Sequence, residues 1–485
     1  MSDLSNQRRH WDTKRAYRSW LLLCFSTGPV ASMVRTYVPA AIQSVAVAIG
    51  RGSEGEKCSN RGNNCFVSFG TSRIHISAYV LYLKAISTSM EGIISILLMG
   101  IADYSNYRKT FLVISIFFYG ALALPFAFLF RKNTGTLKVL SALYILLNTD
   151  GAIYQILEGS YIPLFMRCSK TQDEREALQD NGLLMLKKGS KISVTGLLLG
   201  NCGGVIALLI GIIISHTRGG PIENMYYDFL SAISISGSFT LLFAAISTFY
   251  LPSIKGETPP ENEVLLCLSI KRFCSQIKSI QKYPHAFLYC VSWVAWNISF
   301  SIFMSVFILL FRSTLGLGSS DSEYTVYTFT SYISASLGPL IWMALYRKLH
   351  ISIKTWGYIF LTISLSTNLW GCFGLIPGFS FGFKQRWEFW FFEILYSSSS
   401  SSMRSLNRTA YSSLLPLGNE AQFFGLEVFL GVATGWVGSL ASAAIQNKMG
   451  DERSSFLLSL LLVLIALILY SICDIEKGMK DVNKK

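Results

Sequence analysis

The chain has 485 residues, of which 51% are hydrophobic and only 14% charged, and its formal net charge is +14. About a quarter of the residues in an average soluble protein are charged, so this composition excludes an ordinary soluble domain. A basic excess would suggest nucleic acid as a partner of a soluble protein. Basic loops at a membrane surface explain it here, and we predict no nucleic-acid binding.

Runs of about 20 apolar residues recur along the chain, and each is long enough to cross a lipid bilayer as a helix. The fold class we predict is therefore an all-α integral membrane protein, with twelve transmembrane helices in two six-helix bundles. The predicted spans lie near residues 19–46, 76–101, 110–130, 139–165, 192–214, 227–251, 286–311, 325–346, 356–376, 387–407, 421–445 and 455–473.

The longest polar connection separates the first six spans from the last six. Lys and Arg are about twice as frequent in the loops on the side of the two termini, which favours cytoplasmic termini. The linker carries amphipathic spacing, which indicates either a short helix on the membrane surface or an ordered loop with no role of its own. We expect a cytoplasmic tail at 1–18, a bundle at 19–250, a cytoplasmic linker at 251–284, a second bundle at 285–474 and a cytoplasmic tail at 475–485.

Two cysteines, Cys58 and Cys65, lie in the polar loop "RGSEGEKCSNRGNNCF" after the first span. That loop is on the side opposite the termini, which is oxidising in the secretory pathway, so we predict a disulfide between them. The alternative is a pair of free thiols in a mobile loop.

Several motifs of enzymes and pumps are absent from the sequence. It has no G-x-x-x-x-G-K-[ST] loop for ATP phosphates, no H-E-x-x-H metal motif and no G-x-S-x-G nucleophile elbow. The five histidines are scattered and cluster with no cysteine. We therefore expect no enzyme activity, no metal and no cofactor, which leaves a transporter, a receptor or a scaffold.

Charged side chains inside the predicted spans point to transport, because each costs roughly 2.5–3.5 kcal/mol at mid-bilayer. Lys84 and Glu91 are two helical turns apart, and Asp150, Tyr154 and Glu158 follow one another at four-residue spacing, so each set shares a helix face. We expect these faces to border a solute path. The alternative is that the charges pair and lock helices together. The charged residues in question are Arg35, Lys84, Glu91, Asp150, Glu158, Glu393 and Glu427.

Two spans contain helix-breaking sequences. "TGPV" places Gly28 and Pro29 inside span 1, and "LNTDGAIY" places Asn148, Asp150 and Gly151 inside span 4. Interrupted helices in a membrane are tolerated beside a cavity or inside protein. We therefore predict breaks at these positions next to the solute path, with Pro-kinked packing helices as the alternative. In span 5, glycines at G-x-x-x-G spacing predict close helix packing, at Gly196, Gly200 and Gly204.

The loop between spans 2 and 3 reads "GIADYSNYRKTFL". Gly100, Asp103, Arg108 and Lys109 resemble the loop that the major facilitator superfamily carries at this position. The resemblance implies a role for these four residues in gating.

Six consecutive serines, Ser397 to Ser402, follow the apolar segment "WEFWFFEILY". A serine run usually indicates a disordered linker. We instead predict that these serines belong to span 10, where each hydroxyl can bond the carbonyl one turn back and the small side chains allow close helix contact.

The stretch after the serines, "SLNRTAYSSLLPLGNEAQFFGLEVF", resembles the autophagy-related vacuolar amino-acid effluxer family of fungi, a branch of the major facilitator superfamily. The first span carries a similar match at Thr36, Tyr37 and Pro39. Where the family has a Glu in helix 1 and an Asp in helix 7, this chain has Gly28 and Asn297. The remaining matching residues are Asn148, Gly159, Ser160, Pro163, Arg408, Pro416, Gly418, Glu420, Phe423 and Phe424.

This resemblance implies a multi-pass protein of the vacuole membrane that exports amino acids to the cytosol by alternating access, through a cavity lined by spans 1, 4, 7 and 10. The partners implied are the lipid bilayer, a small solute and protons. Two other functions stay open, namely transport of another small solute by the same fold, and a membrane sensor or scaffold that transports nothing. The residues expected along the path are Arg35, Lys84, Glu91, Asn148, Asp150, Tyr154, Glu158, Asn297 and Arg408.

Two mechanistic expectations follow. Arg35 and Asp150 would face each other across the cavity and hold the carboxylate and the ammonium group of an amino acid, unless they form a permanent salt bridge. Glu158, or else Glu91, would carry the coupling proton, since the chain has no ATP site and energy must come from a gradient. The alternative is that Glu158 stays ionised beside Arg167 or another basic group at the cytoplasmic end of span 4.

Overall fold

The structure is a computed structural model. It describes residues 13–52, 56, 58, 65–102, 107–167, 182–218, 225–253, 269–271, 274–275, 282–315, 322–349, 351–416, 420–449 and 451–483. Most of the linker, together with Asp103 and Gly418 of the predicted motifs, lies outside these residues, and so does the side chain of Glu420.

Long helices dominate both halves of the chain. In the first half they are α1 (Thr13–Arg35), α2 (Tyr37–Ile49), α3 (Ile76–Ala102), α4 (Tyr107–Ala123), α5 (Thr134–Gly159), α6 (Tyr161–Arg167), α7 (Gly182–Arg218) and α8 (Met225–Thr248). In the second half they are α9 (Pro284–Leu315), α10 (Ser322–Leu349), α11 (Ile353–Phe373), α12 (Arg386–Ser413), α13 (Glu420–Met449), α14 (Ser455–Ile472) and α15 (Ile475–Asn483). Short 3-10 helices lie at Leu124–Phe128 and Glu452–Ser454.

A helix, or two abutting helices, covers each of the twelve predicted spans. Hydropathy and length alone identify only some of them among the described residues. The segments apolar enough to qualify are six: Lys14–Ile49, Tyr107–Phe128, Leu184–Ile214, Tyr226–Thr248, Pro284–Ile308 and Ser455–Ile472. The more polar helices are held in the bundle by contacts with the apolar ones.

The predicted positions of the helix breaks were wrong. The helix α1 continues through Gly28 and Pro29 and ends at Arg35, and the chain resumes as α2 after Thr36. The helix α5 likewise continues through Asp150 and ends at Gly159. Pro29 does not end α1, because the neighbouring side chains and helices of a membrane bundle satisfy the backbone groups that a proline frees.

The loop with the two cysteines forms a small antiparallel sheet, which the all-α prediction did not include. Its strands are β1 (Arg51–Gly52), β2 (Cys65–Phe69) and β3 (Ser72–His75), in the order β1-β2-β3. We call the membrane face that carries this sheet the sheet side, and the opposite face, where α1 begins and α14 ends, the terminus side. The sulfur atoms of Cys58 and Cys65 form a disulfide bond that ties the sheet to the segment before it.

Glycines allow α1 and α7 to pack closely, as the G-x-x-x-G spacing predicted. Gly28 of α1 lies against the backbone of Gly200 and Gly204, and a Cβ atom at Gly28 would overlap the carbonyl oxygen of Gly200. Gly28 therefore serves helix packing.

The two halves contact each other through several helix pairs, which are α3 with α13, α7 with α10, and α12 with both α6 and α7. Helix α9 packs against α14 and α13 within its own half, and α1 packs against α7 and α8 within the first. A central path lined by α1, α5, α9 and α12, the helices of spans 1, 4, 7 and 10, stays a prediction.

The serine run lies inside α12, and most of its side chains are buried. Ser399, Ser400 and Ser402 each donate to a carbonyl of their own helix three or four residues earlier, at 3.1, 3.3 and 2.8 Å. The helical prediction for this run is confirmed. Ser398 instead reaches the carbonyl of Ser334 in α10, at 3.1 Å. Three of these hydroxyls thus donate to carbonyls of their own helix, and the hydroxyl of Ser398 joins α12 to α10.

The tail expected after span 12 forms a helix, α15, which packs on the terminus side against α9. The side chain of His285 accepts a hydrogen bond from the backbone N–H of Asp474 at 3.2 Å. Gly478 lies against Leu414 and His285, so α15 seats closely on the ends of α9 and α12.

Candidate solute pathway

An ion pair joins the two halves near the terminus side. The guanidinium of Arg408 in α12 lies 3.4 Å from Glu158 Oε1 in α5, and the two side chains are 19% and 7% exposed. The indole N–H of Trp20 donates to the backbone carbonyl of Glu158 at 3.2 Å, which fixes the end of α5 against α1. Glu158 therefore has a basic partner, as one alternative proposed, but that partner comes from the opposite half of the chain.

Further contacts between the halves surround this ion pair. The hydroxyl of Ser193 in α7 donates to the carbonyl of Ser405 in α12 at 3.1 Å, and the hydroxyl of Ser405 reaches Ser193 Oγ at the same distance. Gly189 of α7 lies against Thr409, so a Cβ atom there would be only 3.0 Å from the threonine methyl. The halves thus meet tightly in the third of the bundle nearest the terminus side.

Basic and acidic groups lie deeper in the bundle, between the halves. Arg35 ends α1, and its electrostatic neighbours are Tyr119, Tyr154 and Tyr332, which come from three different helices. Its side chain is nevertheless exposed. An exposed charge surrounded by side chains from several helices indicates an internal space that water can enter.

Lys84 of α3 opens onto the same region. It donates to the amide oxygen of Asn148 in α5 at 3.2 Å, and its electrostatic neighbours are Glu91 and Arg35. Lys84 is exposed and Glu91 half-buried. The structure thus brings together four residues expected along the path.

Asp150 occupies a different environment. It is 6% exposed, and its Oδ1 accepts a hydrogen bond from Ser115 of α4 at 2.7 Å, while its Oδ2 is buried without a hydrogen bond. No ion pair joins Asp150 to Arg35 among the described residues. The next residue on its face, Tyr154, packs on Tyr119 with ring centroids 4.9 Å apart. Asp150 therefore faces α4 and not the centre of the bundle.

Residues of the loop motif brace the terminus side. Arg108 donates to the carbonyl of Ser160 at 3.4 Å, where α5 gives way to α6, and Lys109 donates to the carbonyl of Leu251 at 2.6 Å. Gly100 lies in the last turn of α3. The basic pair therefore ties the start of α4 to the ends of two other spans, which suits a segment that moves with its half.

The second half has its own buried polar groups. Glu393 accepts hydrogen bonds from Tyr327 and Ser397, and Glu427 accepts one from Asn407 at 3.3 Å. Asn297 is half-buried on α9. The Glu393 contacts join α10 to α12, and the Glu427 contact joins α12 to α13.

The sequence analysis missed Arg404, which lies on α12 one turn before Arg408. Its guanidinium stacks over the ring of Phe300 in α9, 4.6 Å from the ring centroid. Its position inside the predicted span 10 is the signal in the sequence that could have identified it. Among the residues that the structure describes, no cluster of three or more His, Cys, Asp or Glu side chains forms a metal site.

Comparison with solved structures shows the class of protein. The chain is similar to a bacterial homologue of the iron transporter ferroportin in an outward-facing state, with a TM-score of 0.62, 12% identity and coverage of 94% of this chain and 98% of that one. It is also similar to the major facilitator superfamily transporter FucP in its outward conformation, with a TM-score of 0.60, 10% identity and the same coverage. The protein is an all-α membrane protein with the major facilitator fold.

Comparison of sequences shows the family. A family model described as "Vacuole effluxer Atg22 like" matches residues 12–483. Autophagy-related protein 22 of Candida albicans is 54% identical over 478 residues, covering 99% of this chain and 93% of the relative. The protein of that name from Saccharomyces cerevisiae strain S288c is 21% identical over 524 residues, covering 100% and 97%. The chain belongs to this vacuole effluxer family, and the resemblance inferred from the sequence is confirmed.

Proposed function

We propose that this protein exports amino acids from the vacuole lumen to the cytosol during autophagy, by alternating access between two six-helix bundles, with both termini in the cytosol. Membership of the effluxer family and the fold support a multi-pass vacuolar transporter of small solutes. The observation that carries the finer proposal is the ion pair between Glu158 and Arg408, which joins the halves at the terminus side while Arg35 and Lys84 stay exposed deeper in the bundle.

This arrangement suits a conformation that is closed toward the cytosol. Solute would enter from the lumen, reach the level of Arg35 and Lys84, and be retained by the contacts around Glu158 and Ser193. Release requires α5 and α12 to separate at the terminus side. The ion pair between Glu158 and Arg408 must then break, so these two residues form the cytosolic gate in this proposal.

A proton can open such a gate. Protonation of Glu158 removes the charge that holds Arg408, and a neutral carboxyl group is also cheaper to leave without a partner in a membrane interior. Protons driven from an acidic lumen would then favour opening toward the cytosol. Glu91 remains the second candidate for the proton carrier, since its electrostatic neighbour Lys84 lies on the same helix.

The test uses purified protein in sealed vesicles loaded with labelled amino acids, with the interior held at different pH values. We expect efflux from wild-type vesicles that accelerates when the interior is acidic, and loss of that acceleration in Glu158→Gln. The matched control is Arg386→Gln, which removes a cation that is 63% exposed and paired with Glu323 at 3.0 Å.

Three results contradict parts of this proposal. An efflux rate that changes neither with the pH gradient nor in Glu158→Gln would indicate facilitated diffusion without proton coupling. Efflux of another small solute, with amino acids retained, overturns the substrate. Retention of every solute tested, by folded protein in both membrane orientations, favours a sensor or scaffold.

A further inference from the structure

Arg404 and Arg35 are two arginines between the halves that take part in no ion pair among the described residues. Arg404 lies on α12 of the second half and is half-buried, whereas Arg35 ends α1 of the first half and is exposed. The ion pairs among the described residues involve Arg386, Arg408 and Arg453, and neither of the two central guanidiniums has a carboxylate within 4.0 Å.

Among the described residues, no carboxylate is an electrostatic neighbour of either guanidinium. The neighbours of Arg404 are Arg35, Arg408 and Tyr396, and those of Arg35 are Tyr119, Tyr154, Tyr332 and Lys84. Arg408 is paired with Glu158. Arg404 lies one turn before Arg408 on α12, and Tyr154, beside Arg35, lies one turn before Glu158 on α5, so the ion pair brings Arg35 and Arg404 near each other from opposite halves.

Such an arrangement is costly unless something compensates for it. A charge inside the membrane needs a partner, and like charges that approach each other in a poorly solvated space repel. The ring of Phe300 compensates Arg404 in part, since a cation over an aromatic face is attracted by the negative face of the ring. That stacking also holds the guanidinium plane in place, which leaves its N–H edge available to a ligand.

We propose that Arg35 and Arg404 together form a binding site for the carboxylate group of the transported solute, with one cation from each half. A guanidinium offers N–H donors in a planar fork that fits a carboxylate with two parallel hydrogen bonds. This inference rests on the proposed transport function and deepens it, because it assigns the carboxylate, and not the side chain, as the feature common to the substrates.

The site also links binding to the movement of the halves. Without a carboxylate, Arg35 and Arg404 repel each other across the interface. A bound carboxylate attracts both, so it draws α1 and α12 together around the solute. The buried hydroxyl of Tyr332 in α10 lies beside the guanidinium of Arg35, and its O–H is a further donor that a bound carboxylate can use.

The experiment measures binding to the purified full-length protein by isothermal titration calorimetry. The probes are leucine, its amide leucinamide, and 4-methylpentanoate, which keeps the carboxylate and the side chain but has no amino group. We expect leucine and 4-methylpentanoate to bind and leucinamide to bind at least tenfold more weakly. Arg404→Gln should weaken leucine binding at least tenfold and remove the discrimination against the amide.

Two further variants keep the result interpretable. Arg404→Lys retains the charge but not the planar fork, so its affinity should lie between those of the wild type and Arg404→Gln. Arg386→Gln should bind as the wild type does. Thermal unfolding of each variant shows whether it is folded, and the Lys variant supplies the comparison if the Gln variant is not.

Three outcomes overturn the inference. They are equal binding of leucine and leucinamide, an unchanged affinity for leucine in both Arg404 variants, and no binding of either leucine or 4-methylpentanoate. A failure of the proposed function is distinguishable from these. If 4-methylpentanoate binds in an Arg404-dependent manner while leucine neither binds nor leaves loaded vesicles, the carboxylate site stands and the amino-acid substrate falls.

Discussion

The fourth and tenth spanning helices, α5 and α12, hold equivalent places in the two halves but carry charges of opposite sign. Helix α5 contributes the carboxylates Asp150 and Glu158, whereas α12 contributes the guanidiniums Arg404 and Arg408. They meet at one ion pair, between Glu158 and Arg408. One acid and one base are left over, and each leftover group has a different environment.

The two unpaired groups, Asp150 and Arg404, show how a polar group that stabilises one half differs from one that can act in transport. Asp150 is turned toward α4 and accepts a hydrogen bond from Ser115 inside its own half. Arg404 is turned toward the interface, where an aromatic ring supports it and no carboxylate meets it. A polar group satisfied within one half moves with that half, whereas a group between the halves changes partners when they move. The second kind is where solute and gate chemistry belong.

The largest effect is expected when one member of the gate pair, Glu158 or Arg408, is replaced by a residue of the opposite charge. Glu158→Arg places two guanidiniums together, and leaving a buried charge without its partner typically costs about 3–5 kcal/mol. We therefore expect efflux from loaded vesicles to fall at least a hundredfold in Glu158→Arg and in Arg408→Glu. The double variant restores an ion pair with reversed polarity, and it should recover a substantial part of the rate. A double variant as inactive as either single one would contradict the pairing.

A second change sharpens the contrast between Asp150 and the central cations. Asp150→Asn keeps the shape and can still accept the hydrogen bond from Ser115, so the unfolding temperature should change little. We expect efflux to stay near the wild-type rate, because Asp150 faces α4 and not the space between the halves. Ser115→Ala is the matched control, because it removes the hydrogen bond and leaves the carboxylate. A tenfold loss of efflux in folded Asp150→Asn protein would place this residue on the solute path, whereas misfolding would indicate a structural role.

The smallest effects should come from the serines of α12. The hydroxyl of Ser400 bonds only a carbonyl of its own helix, so Ser400→Ala should alter the free energy of unfolding by less than about 0.5 kcal/mol. Ser397 donates to the buried carboxylate of Glu393, and Ser397→Ala should cost roughly 1–3 kcal/mol because that oxygen loses a donor. The measurement is thermal unfolding in detergent. Equal effects of the two substitutions would show that position in the run, and not the partner, decides the cost.

Much of the fold could be predicted from the chain because membrane helices follow from local rules. Apolar length gave the spans, and the small-residue spacing of Gly200 and Gly204 gave close packing, although the partner Gly28 was interpreted as a break. The true break, at Thr36, comes three residues before Pro39, which has no N–H to donate to the carbonyl of Arg35. The sequence did not show that the helix ends before Pro39 and passes through Pro29, because this depends on how α2 packs against α5 and α8 in the assembled bundle.

The candidate path was predicted in part. Charges inside spans could be recognised singly, since their cost in a bilayer is a local property, and Arg35, Lys84, Glu91 and Glu158 all lie between the halves or border that space. Arg408, which lies there too, was found through the resemblance to the effluxer family. Their partners could not be deduced from the sequence. Residues 158 and 408 are separated by 250 positions, and periodicity on one helix says nothing about the helix it faces.

The sequence by itself determined that this protein is a polytopic membrane protein, because the bilayer imposes apolar length, helical backbone and basic cytoplasmic loops on any chain that crosses it. The sequence also carries the family motifs of a vacuole effluxer. Only the tertiary structure decided which charges neutralise one another and which are left over. In the sequence, Asp150 and Arg404 are each a charged residue inside a predicted span. Helix α5 packs against α4, which gives Asp150 a hydrogen-bond partner within its own half. Helix α12 packs against α9 and the first half, which leaves Arg404 facing the space between the halves.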